Sequence, residues 1–208
     1  MELHLIRHGQ TNWNEEGRAQ GQSDSRLTEV GEQQAIALGK RISHLKFDKV
    51  LCSSSLRTRQ TADLVFPRSK SDIEYLDSLR EIFLGPWEGK LYKDIEGESP
   101  ESHQHFWKKP HLFALKGAES FSQLQQRAVS TIQSFASEFE RKKVVVVSHG
   151  ALIKSLLCYA EGKPLAELWS SPRMHNCAHS IILYKGQAPD QIIPVSYTHL
   201  TLPTKRIV

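Results

Sequence analysis

Two apolar segments that each lead into a His-Gly pair constrain the fold of this chain most strongly. The β-branched run VVVV at residues 144–147 is long enough for a buried strand, and it leads into His149 and Gly150. A helical stretch follows, so this pair stands at a helix amino terminus, which favours anions. Near the start of the chain, the apolar residues Leu3, Leu5 and Ile6 lead into RHG at residues 7–9. The sequence therefore predicts two strands that deliver histidines to the edge of a sheet.

The other periodic segments alternate between strands and helices. Residues 50–53, 73–79 and 180–184 predict strands, whereas residues 25–45 and 121–139 predict amphipathic helices. This alternation is typical of a parallel sheet with helices on both faces and a site at the carboxyl ends of the strands. We therefore expect an α/β fold with three α/β/α layers around a mostly parallel central sheet.

Arg7 and His8 at a strand end suit covalent chemistry on an anion. The imidazole can attack, the guanidinium can hold anionic oxygens, and Gly9 can let a substrate approach the backbone. Arg57 stands in the first turn of a helix, where it either faces the same cleft or is a solvated surface charge. Glu81 lies in a loop dense with Gly, Pro and Trp, where it is a site carboxylate, a helix cap or an ion-pair partner.

Composition excludes several classes of protein. The chain has 208 residues, of which 39% are hydrophobic and 24% charged, and no apolar run approaches the ~20 residues that span a bilayer. Basic residues are spread along the chain, so we expect no nucleic-acid partner and no membrane partner. Cys52, Cys158 and Cys177 lack metal-ligand spacing, and because the first residues predict a strand, we expect no signal peptide. These features predict a cytoplasmic protein without a metal site.

Four motifs resemble those of a known family. They are LIRHGQTNWN from residue 5, SSLRTRQTA from residue 54, LREIFLGPWEG from residue 79 and VSHG from residue 147. In their order and spacing, over about residues 1–185, they resemble the histidine phosphatase superfamily in its phosphoglycerate mutase-like branch.

The resemblance implies a role for each matching residue. His8 would be the nucleophile that becomes phosphohistidine, and Glu81 would protonate the leaving alcohol and then activate water. Arg7, Arg57 and His149 would form the phosphate pocket. The implied substrate-binding residues are Asn14, Gln20, Gly21, Gly150, Trp87 and Trp107. No cofactor is expected, because two arginines and a second histidine can neutralise the phosphate oxygens.

Two details of the motifs lead to structural expectations. His8 must attack through a neutral nitrogen, so we expect its other ring nitrogen to donate to a backbone carbonyl and nearby cations to discourage its protonation. Ala118 stands where the family commonly has glycine. If that position requires a positive φ, the loop must shift.

Residues 86–117 concentrate aromatic and apolar side chains in an insert that we expect to form a small helical lid subdomain over the active site. Cofactor-dependent mutases of the family have a longer basic insert here. The segments around Trp107 and Trp169 resemble the broad-specificity phosphatases of Bacillus-type bacteria. The lid aromatics either form an apolar pocket for varied leaving groups or simply pack the subdomain.

These observations favour a metal-independent phosphatase that hydrolyses small phosphorylated substrates, as a monomer or a homodimer. The short insert disfavours the first alternative, a cofactor-dependent phosphoglycerate mutase. A non-catalytic phospho-ligand-binding module is the second alternative, and it would be expected to have lost His8, Glu81 or His149.

The carboxyl-terminal stretch requires a separate explanation. Residues 195–204, VSYTHLTLPT, can be encoded by read-through of a common transposase sequencing adapter. We therefore expect a histidine phosphatase-like domain at residues 1–194 and a non-native tail at residues 195–208. The alternative is an ordinary edge strand.

Overall fold

Strands and helices alternate in the computed structural model, which describes residues 1–68, 72–170 and 172–184 and the backbone of residues 192–198. The strands are β1 Glu2–Arg7, β2 Lys49–Ser53, β3 Ile73–Leu76, β4 Lys143–Ser148, β5 His179–Tyr184 and β6 Ile192–Thr198. The helices are α1 Asn12–Glu16, α2 Glu29–Ile42, α3 Leu56–Val65, α4 Tyr92–Glu98, α5 Pro100–Lys108, α6 Phe121–Ala136 and α7 Gly150–Ala160. Short 3₁₀-helices cover Asp77–Leu79, Gly85–Trp87, Pro110–Leu112 and Leu165–Glu167.

The strands form one sheet in the order β3-β2-β4-β1-β5-β6. β3, β2, β4 and β1 run parallel, whereas β5 is antiparallel to both of its neighbours. The register pairs Arg7 at the end of β1 with Ser148 at the end of β4. The residues that follow these two strands therefore meet at the same edge of the sheet.

Alternate residues of β4 face opposite sides of the sheet and so contribute to two layers of the core. Val144 and Val146 belong to a hydrophobic cluster with residues of α6 and α7, and Val145 and Val147 belong to a second cluster with residues of α2 and α3. All four valines are fully buried, because helices cover both faces of the sheet. The predicted three-layer α/β/α fold with a mostly parallel sheet is confirmed.

Several elements are shorter than the sequence predicts. The helix predicted at residues 25–45 begins after Thr28, whose side chain caps it by accepting from the Gly31 N–H, and it ends at Ile42. The strand predicted at residues 73–79 stops at Leu76 and continues as a 3₁₀-helix. Ile36, an apolar residue of this helix, is 40% exposed and lies outside the core. None of the helices in the described ranges is long and apolar enough to cross a membrane.

The insert predicted at residues 86–117 is helical, with α4 and α5 between two 3₁₀-helices. Its aromatic rings are continuous with the main core. The Phe106 ring lies 5.2–6.0 Å, centroid to centroid, from the rings of Trp87, Phe113 and Trp169. The lid therefore shares one hydrophobic core with the sheet and α6, and it has no core of its own.

In the loop before α6, the residue whose backbone conformation requires a glycine is Gly117. This residue has φ +81°, and the non-glycine residues with positive φ in the described part of the chain are Arg141 and Cys177. Ala118 therefore fits without the loop shift that a positive φ there would have required. Ser120 then caps α6 through reciprocal hydrogen bonds with Gln123.

β6 crosses the boundary that the sequence places at residue 194. Its backbone pairs with β5 at the edge of the sheet. Residues 199–208 lie outside the described residues. The non-native origin of residues 195–208 stays a prediction.

Candidate active site

His8 and His149 meet at the carboxyl ends of the adjacent parallel strands β1 and β4. Their ring centroids lie 5.4 Å apart, and both side chains are buried. His8 borders a cavity of about 510 Å³ whose walls come from the strand ends, the lid and the segment before β5, and Gly150 lines it directly after His149. The predicted convergence of the two strand-end histidines is therefore present in the structure.

The imidazole of His8 is held in one tautomer. Its Nδ1 lies 2.8 Å from the carbonyl oxygen of Gly9, which can only accept, so Nδ1 carries the proton and Nε2 keeps its lone pair. Burial, together with the Arg57 and Arg7 guanidinium groups, holds the pKa of His8 well below its ordinary value. The expected hydrogen bond to a backbone carbonyl and the expected effect of nearby cations on the His8 pKa are both present.

Gly9 allows a close packing contact that the sequence did not indicate. A Cβ atom at this position would lie 2.5 Å from the carbonyl oxygen of Gly31 in α2. The absence of a side chain thus lets the loop after β1 lie directly against the α2 backbone. Gly9 is not among the residues that line the cavity, and the expectation that it lets a substrate approach the backbone stays a prediction beside this packing role.

Arg57 is a buried cation that the backbone orients. It lies in the first turn of α3, and its two terminal nitrogens donate to the carbonyl oxygens of Gly21 at 2.7 Å and Ser23 at 2.8 Å. Burial lowers the pKa of Arg57 to about 10, and the nearby Glu81 opposes the shift, so the group stays charged at neutral pH. Of the two alternatives left open for Arg57, the structure shows the one that faces the cleft.

Arg7 and His149 complete a group of buried nitrogens around the cavity. Arg7 Nη1 donates to the Met174 carbonyl at 2.6 Å, and His149 Nε2 lies 2.7 Å from the Ser53 hydroxyl. Burial and the nearby Arg57 guanidinium hold the pKa of His149 well below its ordinary value. Arg7 Nε, Arg57 Nε and His149 Nδ1 are buried and have no hydrogen-bond partner among the described residues. Such nitrogens are well suited to anionic oxygens.

Gly150 contributes through the space it leaves. A Cβ atom there would lie 3.3 Å from Arg7 Nε, which is closer than ordinary contact. Any larger residue at the start of α7 would therefore press on the Arg7 guanidinium.

Glu81 lines the cavity and also caps α7. Its carboxylate oxygens accept from the backbone N–H groups of Ala151 at 2.9 Å, Leu152 at 3.0 Å and Ile82 at 3.0 Å. Two of the alternatives for Glu81, a site carboxylate and a helix cap, therefore hold at once. The carboxylate is fixed at the helix amino terminus beside His149.

The implied substrate-binding residues fall into two groups. Asn14, Gln20, Gly21, Gly150 and Trp107 line the cavity. Trp87 does not: it is 3% exposed, and its ring packs against Phe106 and Phe113. The expectation of substrate contact is wrong for Trp87, because its side chain points into the core that the lid shares with the sheet.

Gly21 acts through its backbone. It has φ +52°, and a Cβ atom there would lie 2.1 Å from Glu88 Oε1. The same Glu88 oxygen accepts from the Gln22 N–H at 2.7 Å. Glu88 thus fixes the loop whose carbonyls orient Arg57.

Several cavity residues were missed by the sequence analysis. Asn176 donates to the carbonyl oxygen of His8 at 3.2 Å and to the Asn14 side chain at 3.1 Å. Lys154 Nζ donates to the Ser170 carbonyl at 2.8 Å. The other missed residues are Arg18, Tyr92, Trp169, Arg173, Met174 and His175. Arg18, Tyr92 and Lys154 follow shortly after three of the motifs, and Trp169 lies in the segment that resembles the Bacillus-type phosphatases. Their place in the chain does not show which way their side chains point, and only the fold turns them toward the cavity.

Comparison with known proteins identifies the family. Residues 3–192 match the model of the histidine phosphatase superfamily, branch 1. The chain belongs to this superfamily. The resemblance of the four motifs to the superfamily is thereby confirmed.

Relatives of this histidine phosphatase superfamily member are phosphatases and mutase-like proteins. The probable phosphoglycerate mutase GpmB of Salmonella choleraesuis (strain SC-B67) is 31% identical over 187 residues, which are 89% of this chain and 86% of the relative. Bacillus stearothermophilus YhfR has a similar structure, with a TM-score of 0.87, 39% identity and coverage of 93% of this chain and 94% of that one. The mycobacterial glucosyl-3-phosphoglycerate phosphatase in complex with VO3 has a TM-score of 0.80, 27% identity and coverage of 88% and 92%.

Proposed function

We propose that this member of the histidine phosphatase superfamily is a metal-independent phosphatase that hydrolyses small phosphomonoesters through a phosphohistidine on His8. The observation that carries the proposal is the neutral His8 Nε2 beside three buried nitrogens that have no partner in the described part of the chain, on Arg7, Arg57 and His149. A phosphate has oxygens for these donors and a phosphorus atom for the nucleophile. The two guanidinium groups supply the positive charge that phosphoryl transfer requires.

In the first step, His8 Nε2 attacks phosphorus as the bond from phosphorus to the ester oxygen breaks. Glu81, in its protonated form, gives its proton to the departing alkoxide, and the alcohol leaves. Arg7 and Arg57 bind the equatorial oxygens. A Ser53 hydroxyl that donates to His149 Nε2 leaves the proton on His149 Nδ1, which then donates to the same phosphoryl group.

In the second step, the Glu81 carboxylate accepts a proton from water, whose oxygen attacks the phosphorus of phospho-His8. The bond from phosphorus to nitrogen breaks, inorganic phosphate forms, and Nε2 regains its lone pair. The Gly9 carbonyl accepts a hydrogen bond from Nδ1–H and so keeps the ring in place in both steps.

The lid supports broad specificity for the leaving group. Trp107 and Trp169 lie with ring centroids 5.5 Å apart and line the cavity with Leu84 and Phe106. Apolar rings accommodate varied organic groups with few directional demands. The alternative of a phosphoglycerate mutase is favoured by one observation, the 31% identity to a relative that carries that name.

The test is phosphate release from a panel that includes p-nitrophenyl phosphate and 3-phosphoglycerate, in the presence of EDTA. Wild type should release phosphate and form a phosphoenzyme in rapid-quench experiments. His8→Ala should form none, whereas His149→Ala should form it slowly, because it keeps the nucleophile and loses a phosphate donor.

Release that persists in a folded His8→Ala variant would refute the phosphohistidine route. Conversion of 3-phosphoglycerate to 2-phosphoglycerate without net release would establish the mutase instead. Binding of phosphate esters without either reaction would indicate the non-catalytic module.

A further inference from the structure

The loop that carries Glu81 has little regular structure of its own. It spans residues 77–87 and includes the short 3₁₀-helices Asp77–Leu79 and Gly85–Trp87. Its carbonyl groups instead accept from side chains of other elements. The Leu79 carbonyl accepts from the Ser148 hydroxyl at 2.7 Å, and the Glu81 carbonyl accepts from Gln22 Nε2 at 3.2 Å. Side chains outside the loop therefore hold the backbone from which the Glu81 carboxylate reaches α7.

Arg127 of α6 makes the largest set of these contacts. Its Nη1 donates to the carbonyl oxygens of Ser78 and Arg80, each at 2.8 Å, and its Nη2 lies 3.3 Å from the carbonyl oxygen of Glu81. One guanidinium group thus binds three carbonyls of the loop. A planar group with five fixed donors suits this geometry, and the single ammonium of lysine does not.

Glu119 orients the guanidinium and binds the other end of the loop. Its two oxygens accept from Arg127 Nε at 3.0 Å and from Arg127 Nη2 at 2.8 Å. It also accepts from the Phe83 N–H at 3.1 Å, and its own N–H donates to the Phe83 carbonyl at 2.8 Å. The two side chains are 23% and 15% exposed, so the ion pair is mostly shielded from water.

We propose that Arg127 and Glu119 are positioning residues for proton transfer by Glu81. Neither touches the reacting atoms; they hold the loop so that the Glu81 carboxylate lies at the amino terminus of α7 and faces the leaving oxygen. Because this inference rests on the proposed function, its test must separate a failure of the pair from a failure of the mechanism. A displaced acid matters most for poor leaving groups, since these depend on protonation as they depart.

The test measures kcat/KM for a series of aryl and alkyl phosphates whose leaving alcohols range from strongly to weakly acidic. This parameter covers the steps up to departure of the alcohol, so it reports the proton donated to that alcohol. Glu81→Gln is the reference variant: its loss should grow along the series toward the ~10²–10⁴-fold that general acids contribute. Arg127→Met should show the same trend, with roughly tenfold more loss for alkyl phosphates than for p-nitrophenyl phosphate.

Two further variants keep the test decisive. Arg127→Lys, which retains the charge without the planar fork, should recover part of the lost rate on alkyl phosphates. Glu119→Gln preserves shape and should show a weaker version of the same trend, and it replaces Arg127→Met if that variant does not fold. Lys49→Met is the matched control, because it removes a partly exposed ion pair with Glu74 at the opposite edge of the sheet. The control should leave the whole series unchanged.

The outcomes distinguish the two ideas. If Glu81→Gln shows the trend and folded Arg127 and Glu119 variants lose rate equally on every substrate, the pair is only structural and the inference is wrong. If Glu81→Gln itself shows no trend, Glu81 is not the acid, and the inference falls together with that part of the proposed function.

Discussion

The contact between the loop after β1 and α2 gives a sharp prediction for Gly31→Ala. A Cβ atom at Gly31 would lie 2.0 Å from the carbonyl oxygen of Gln10, whereas ordinary contact begins at 3.4 Å. The two backbones would have to separate by about 1.4 Å. The backbone fixes the position of the Cβ atom, and the carbonyl is itself backbone, so no side-chain rotation can relieve the clash.

The expected magnitude follows from two opposing effects. Alanine is favoured over glycine in a helix by ~0.5–1 kcal/mol, whereas overpacking costs ~1–3 kcal/mol and occasionally more. The clash is severe, so we expect Gly31→Ala to lower the free energy of unfolding by about 1–3 kcal/mol. The same displacement moves Gly9, whose carbonyl orients His8, and a shift of ~1 Å can cost ~10²-fold in rate. We therefore expect kcat/KM to fall by about that factor.

Gly97→Ala in α4 is the matched control. It has the same chemistry, but no atom beyond its chain neighbours and the backbone of α4 lies within 4 Å of the added Cβ in the described part of the chain, so it should raise stability by up to ~1 kcal/mol with unchanged activity. Urea unfolding at neutral pH and phosphatase kinetics measure both variants. A Gly31→Ala protein as stable and as active as Gly97→Ala would refute the reasoning.

Three further predictions concern other sites. Burial lowers the pKa of His179 from 6.5 to about 4, so the free energy of unfolding should fall by up to about 3 kcal/mol as the pH drops from 6.5 to 4. Urea unfolding of His179→Gln should show a smaller fall, and an equal fall would contradict the assignment to His179. Trp87→Ala should lower the free energy of unfolding by ~3–5 kcal/mol, whereas Trp107→Ala should mainly raise KM for aryl phosphates. The reverse pattern would contradict the placement of Trp87 in the core and of Trp107 at the cavity. Glu88→Gln should weaken vanadate binding about tenfold in calorimetry, because Glu88 fixes the loop that orients Arg57, and unchanged binding would argue against that role.

The strand-end histidines could be predicted because their signals are local. The run at residues 144–147 is apolar and β-branched, and the glycine after His149 marks the end of the strand. Arg57 could be placed in the first turn of a helix for the same reason. These short-range patterns determined the order of strands and helices, and the parallel register then brought the two histidines together.

Contacts between distant segments could not be predicted in the same way. Arg127 is one of several polar residues on a long amphipathic helix, and nothing near it in the chain indicates that it binds carbonyls 46–49 residues away. Trp87 and Trp107 look alike in sequence, and only packing separates the core residue from the cavity residue. The packing contact of Gly9 could not be predicted, because its partner Gly31 lies 22 residues further along the chain.

The arrangement of α5 has a consequence for how such a protein diversifies. Both Phe106 and Trp107 line the cavity, but Phe106 is 3% exposed and packs within the shared core, whereas Trp107 is 41% exposed. One position is therefore held by the need to remain folded, and the next is open to exchange. Under the proposed function, substitutions at Trp107 would redirect the choice of leaving group over evolutionary time while the end of the cavity built on the strand ends remains the same.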